Sequence, residues 1–171
     1  MPRSLRHPAL LLLALVLGLA ADRGWAQAPT TIILVRHAEK AAAPADDPPL
    51  TAEGEARAAD LVSALSSAGI SAIYSTRTKR TQSTAAPIAL ELKVPVTTFD
   101  AAAPAYVAEI LGKHRGKVVL VVGHSNTIPA IMRALGIADA PPIADPDYSN
   151  LFIVSVPANG APTYIRAEFG R

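Results

Sequence analysis

The chain has 171 residues, half of them hydrophobic, with 16 Lys and Arg against 14 Asp and Glu and no cysteine. The length accommodates one domain with a sizeable core, and the hydrophobic content excludes a disordered chain. The lack of cysteine excludes disulfides, thiolate-bound zinc, iron–sulfur clusters, a cysteine nucleophile and a lipid anchor on cysteine.

Residues 1–28 read as a removable leader. Arg3 and Arg6 form a basic start, the run from Ala9 to Ala21 is apolar apart from Gly18, and Ala26-Gln27-Ala28 fits a small-x-small cleavage pattern. The run is short against the roughly 20 apolar residues of a membrane span. Asp22 and Arg23 flank it, so the alternative is an uncleaved N-terminal anchor. In either case the single predicted domain, residues 29–171, is expected outside the cytoplasmic membrane, in the periplasm where the cell has two membranes. No stable span is expected after cleavage. The leader takes three arginines and one acid with it, which leaves 13 basic and 13 acidic side chains. A neutral mature chain with no Lys/Arg run argues against a nucleic-acid partner.

Thr31 to Val35 (T-I-I-L-V) reads as a buried strand. Residues 41–49 are an Ala/Pro-rich loop. Thr51 is the predicted N-cap of a helix with Glu53 and Glu55 in its first turn. Ala58, Leu61, Leu65 and Ala68 then recur at helical spacing up to Gly69. Ile70 to Tyr74 is a second strand, and a helix follows from Arg77 to Leu92 with Pro87 as a kink site. Val94 to Phe99 is a third strand and Pro104 to His114 a helix. Val118 to Val122 is the most strand-like run. Asn126 to Leu135 is a helix with Pro129 in its first turn and Gly136 after it. A proline-containing loop, 137–149, precedes strands at Leu151 to Val156 and Thr163 to Phe169, which a short turn joins. The alternation predicts an α/β three-layer sandwich. Its central sheet is mostly parallel, with helices on both faces and a C-terminal antiparallel pair at one edge.

Ligands of open α/β sheets bind beyond the carboxyl ends of the strands. Arg36 and His37 follow the first strand. Ser75, Arg77 and Arg80 follow the second, Asp100 the third, and Gly123 to Asn126 the fourth. Two of the three histidines of the mature chain, His37 and His124, therefore stand at the ends of its two most hydrophobic strands. The guanidiniums of Arg36 and Arg80 are forks matched to phosphate oxygens, and an imidazole can take up a phosphoryl group covalently. Asn126 and Thr127 open a helix whose free N–H groups favour an anion. Phosphoryl transfer needs positioning and charge neutralisation above all, and these groups supply both without a metal. The partner expected is a small phosphorylated molecule or phosphate ion. His114 lies beside Arg115 and Lys117 and reads as structural.

The segments L-V-R-H-A-E-K (34–40), L-T-A-E-G-E-A-R-A (50–58), Y-S-T-R-T-K-R-T-Q-S-T-A (74–85) and V-V-G-H-S-N-T-I-P (121–129) resemble the histidine phosphatase superfamily, of phosphoglycerate-mutase-like fold. The resemblance implies that His37 is the phosphorylated nucleophile and that Arg36 and Arg80 bind phosphate. It also implies that His124 is the second pocket histidine and that no metal or cofactor is needed. The size is nearer to the compact phosphohistidine phosphatases than to the larger mutases. The family's usual glycine after the first histidine is Ala38, and the segment bearing its usual acid is missing. Asp100 is the nearest substitute as general acid, with Glu39 the alternative beside His37. A pocket without a strong acid suits phosphoramidates and activated phosphates, whereas an exported enzyme would meet phosphate monoesters.

Four other readings compete. A serine hydrolase elbow at Gly123-His124-Ser125 lacks its fifth-position glycine, where Thr127 stands, and no histidine follows His124. A metal hydrolase could recruit His37, Glu39, His124 and Asp100, but two arginines would crowd the cation. A pseudophosphatase would bind the anion without turnover, and a mutase-type phosphotransferase would pass it on. Lys40, Tyr106 and Tyr148 are expected near the mouth of the site.

Overall fold

The computed structural model describes residues 27–100 and 103–170, so the predicted leader lies outside the described residues apart from Gln27 and Ala28. In chain order the elements are β1 (Thr30–Arg36), α1 (Ala52–Leu65), β2 (Ile70–Thr76), α2 (Lys79–Leu92), β3 (Val96–Phe99), α3 (Ala103–Lys113), β4 (Val118–Gly123), α4 (Thr127–Ala134), β5 (Asn150–Val156) and β6 (Thr163–Glu168). The six strands form one sheet in the order β3-β2-β4-β1-β5-β6. β3, β2, β4 and β1 run parallel, while β5 runs antiparallel to β1 and β6. The expected α/β sandwich with an antiparallel pair at its C-terminal edge is the architecture found.

The period of two along a strand divides the core. Ile32 and Leu34 of β1, with Val119 and Val121 of β4, pack against α3 and α4 through Ile110, Ile128, Ile131 and Met132. The intervening Ile33, Val35, Leu120 and Val122 pack on the other side against Leu61 and Leu65 of α1 and Ala85 and Ile88 of α2. Because both faces are covered, Ile32 to Val35 of β1 and Val118 to Val122 of β4 are apolar without interruption, which is why they read so clearly as strands. The Thr51 hydroxyl accepts from the Gly54 amide and caps α1 as expected. α1 ends at Leu65 rather than running to Ala68, and Gly69 then turns the chain at φ +71°.

Register places the site. Arg36 at the end of β1 stands opposite Gly123 at the end of β4, and the His37 amide donates to the Gly123 carbonyl at 2.9 Å. β2 runs two residues past its predicted end at Tyr74, because pairing with β3 continues to Thr76 opposite Phe99. Three strand ends thus finish side by side. Gly123 is required there for space. A Cβ would lie 2.6 Å from the Thr127 hydroxyl, which accepts from the His124 amide at 2.7 Å and folds the start of α4 against the end of β4.

Candidate active site

Arg36 is buried, 2% exposed, and held on nearly every side. Its Nη1 donates to the carbonyls of Ala144 (3.1 Å) and Asp147 (3.2 Å), and its Nη2 pairs with the Asp145 carboxylate at 2.5 Å. The Tyr148 ring lies 4.3 Å from its guanidinium carbon. The 137–149 loop is therefore wrapped around this arginine. Arg36 Nε is buried and has no partner among the described residues. A sealed N–H without an acceptor is costly, and an anion would satisfy it.

His37 is 3% exposed. Its Nδ1 lies 2.8 Å from the Ala38 carbonyl, which can only accept, so Nδ1 carries the proton. Burial pushes the imidazole down to about 4, reinforced by the nearby charges of His124, Arg36 and Arg80 and opposed by the bond to Ala38. At neutral pH the ring is uncharged, and its lone pair sits on Nε2. That is the state a nitrogen nucleophile needs. Ala38 is fully buried in a small cluster with Leu50 and Ala58, and its amide donates to the Thr84 hydroxyl at 3.0 Å. Thr84 in turn bonds the Arg80 carbonyl at 2.7 Å, which ties the backbone after His37 to the first turn of α2.

His124 Nε2 lies 2.8 Å from the Thr76 hydroxyl, which lies 2.8 Å from the Thr81 hydroxyl. The single proton of Thr81 is directed to the carbonyls of Thr76 and Thr78, both at 2.9 Å. Thr81 must then accept from Thr76, and Thr76 from His124. The threonine chain fixes the proton of His124 on Nε2 and leaves Nδ1 unpartnered among the described residues. Burial, followed by the charges of Arg80 and Arg36, pushes this imidazole down to about 4 as well.

Arg80 enters from the first turn of α2. Its Nη1 lies 3.7 Å from Asp47, whose carboxylate also accepts from the Lys79 amide at 2.9 Å and so caps α2 from the 41–49 loop. Arg80 Nε, like that of Arg36, is buried without a partner among the described residues. The His37 and His124 rings stand 5.2 Å apart, edge to face, and each feels the charge of both arginines. Two imidazoles and two guanidiniums thus meet at one end of the sheet. Residues 32–103 match the sequence profile of the histidine phosphatase superfamily (branch 1). That span, 72 of the 171 residues, carries the sequence pattern of this superfamily. Arg36, His37 and Arg80 lie inside the matched span, and His124 lies beyond it, joined to the others by geometry.

A similar fold is found in solved structures. A candidate phosphohistidine phosphatase SixA from Agrobacterium tumefaciens is similar at a TM-score of 0.60 and 21% identity, over 82% of this chain and 97% of that one. Mycobacterial glucosyl-3-phosphoglycerate phosphatase is similar at 0.64 and 12%, over 82% and 98%. The protein histidine phosphatase SixA complexed with tungstate is similar at 0.65 and 19%, over 81% and 96%. These are likenesses of fold. No curated protein matches the chain.

The remaining predicted site residues fall elsewhere. Asp100 is exposed and pairs with the equally exposed Arg77 at 2.9 Å, and no bond among the described residues joins it to the pocket. Glu39 pairs with Arg57 of α1 at 2.7 Å, and that arginine also holds the Phe169 carbonyl. The four metal-ligand candidates are therefore not brought together. Among the described residues no group of three or more His, Asp or Glu is placed to hold a metal ion. Asn126 is the N-cap residue of α4, but its side chain is exposed and makes no cap bond.

Tyr148 does flank the site, 5.9 Å from the His37 ring. Tyr106 does not. It is buried in the α3 face of the core, stacked on Phe99 at 3.8 Å, because α3 turns this side chain inward. Lys40 is exposed and bridges to Leu50. His114 bonds the Tyr74 hydroxyl at 2.9 Å, the structural role read for it.

Sequence reasoning missed Asp47, Thr76, Thr81, Thr84 and Asp145. The threonines left a signal. Thr81 and Thr84 are β-branched, poor in a helix interior and easily turned to local hydrogen bonding, yet both are buried in α2. The two aspartates left none, since their loops have no periodicity.

Proposed function

We propose that this protein is a metal-independent phosphatase, exported by the leader at residues 1–28, that works through a phosphohistidine on His37. What carries the reading is the pairing of a neutral His37, its lone pair on Nε2, with two arginines that each keep a buried, unpartnered Nε. In the first step Nε2 attacks phosphorus in line with the leaving group. The N–P bond forms, the bond to the leaving group breaks, and Arg36 and Arg80 neutralise the equatorial oxygens, while the bare Nδ1 of the neutral His124 stays free to take a proton. In the second step water attacks phosphorus, the N–P bond breaks, and inorganic phosphate leaves with His37 restored. The water's proton passes to His124 Nδ1 or to solvent.

The leaving group needs a proton only where it is a poor one. Asp100 and Glu39 are engaged with Arg77 and Arg57. This favours substrates that depart unaided, namely phosphoramidates and activated monoesters. p-Nitrophenyl phosphate is such a substrate and is expected to be hydrolysed. A phosphate donor is expected to leave an acid-labile label on the wild-type chain and none on His37→Ala. Label that survives in His37→Ala removes the assignment of the nucleophile. No hydrolysis at all, with vanadate still bound, makes the pocket an anion-binding module instead.

A further inference from the structure

A groove of about 350 Å³ opens beside the pocket, within the range of small-molecule sites. One wall is Ser125, Asn126, Pro129 and Arg133, and the facing wall includes Pro142 and Ile143. Both walls continue out of the site itself. Ser125 follows His124 directly, and the loop that carries Pro142 and Ile143 goes on to clamp Arg36 through the Ala144 and Asp147 carbonyls. Through these two walls the groove adjoins the site, and it offers a place for whatever is attached to a phosphoryl group held there.

The chemistry of the groove changes along its length. Asn126, Pro129 and Arg133 share one stripe of α4 by their spacing of three and four. Next to the pocket stand the hydroxyl of Ser125 and the amide of Asn126. Pro129, Pro142 and Ile143 follow as an apolar middle. At the far end is Arg133, exposed and with no ion-pair partner among the described residues. Arg133 lies seven steps along the chain from Asn126, a span of about 10 Å in a helix.

We infer that this groove is the leaving-group subsite, and that it takes an organic phosphate whose short apolar body ends in a second anionic group held by Arg133. The inference rests on the phosphatase reading above and adds the class of substrate. A carboxylate on an aryl or alkyl spacer meets the three zones in order. A simple alkyl phosphate fills only the middle, and a bulky polar headgroup meets apolar walls.

The test uses 4-(2-carboxyethyl)phenyl phosphate and its neutral amide, two aryl esters with similar leaving groups. The full chain is expected to hydrolyse the acid with a kcat/KM about fivefold higher than the amide, the scale of one exposed charge pair. In Arg133→Gln the ratio is expected to fall to about one, and in Arg133→Lys to persist, since the charge is what acts. Equal turnover of acid and amide by the wild type overturns the subsite while leaving the phosphatase reading intact. So does a preference that survives Arg133→Gln. Hydrolysis of neither ester, together with no label on His37, overturns the phosphatase reading and the subsite with it.

Discussion

The carboxyl ends of β1 and β3 belong to one sheet and point the same way, yet they meet different fates. β1 lies between β4 and β5, and the residues that follow it emerge among the ends of neighbouring strands. Arg36 and His37 are 2% and 3% exposed there, with neighbouring strand ends on both sides. β3 is the edge strand, with a neighbour only in β2. Asp100 emerges from it into solvent and finds Arg77, itself exposed. The rule that ligands lie beyond strand ends is therefore a rule about interior strands. Walls on both sides shed the water that would otherwise screen a charge, and an edge has one wall at most.

This contrast can be broken or sharpened by measurement. Arg80→Ala, at the walled end, is expected to lower kcat/KM by about a hundredfold or more, the loss of one pre-aimed charged donor. A drop under about threefold would remove Arg80 from the site. The pH profile reads the same burial. His37 is pushed down to about 4, so Nε2 keeps its lone pair above that pH and loses it to a proton below. Corrected for the substrate's own ionisation, kcat/KM is expected to hold through pH 6.5 and to fall about tenfold per unit below its acid limb near 4. An acid limb at the ordinary histidine value would mean that the ring is not buried in solution.

Thr76→Val cuts the chain that orders His124. It is expected to lower kcat about fivefold, with Thr76→Ser close to wild type, because only the hydroxyl matters. The smallest effect belongs to the edge. Asp100→Asn is expected to change kcat by less than about twofold on aryl or alkyl phosphates, since an exposed pair contributes little. An alkyl-specific loss of about tenfold would restore Asp100 as the acid and undo the contrast.

Much of this was legible in the residues. β1 and β4 are covered on both faces and carry uninterrupted apolar runs, so strand, sheet type and the placement of His37 and His124 followed from pattern alone. The arginines were legible because they directly follow strand ends or open a helix. What pattern did not carry was the side-chain contact between distant loops. Asp145 reaches Arg36 across 109 positions and Asp47 reaches Arg80 across 33, and nothing local marks either pair. Asp100 follows a strand just as His37 does, and pattern does not say which strand lies at the edge. Tyr106 is a related case. An aromatic on an amphipathic helix reads alike whether its face meets the core or the mouth of a cleft.

Asp47 and Asp145 give the resting site a property of its own. Each arginine already holds a counterion tethered by the backbone, one on the 41–49 loop and one on the 137–149 loop. On the proposed mechanism an incoming phosphoryl group takes the two unpartnered Nε atoms and competes with these carboxylates for the rest of each guanidinium, as an eluent does on an exchange resin. The strength of capture is then a difference between two attractions.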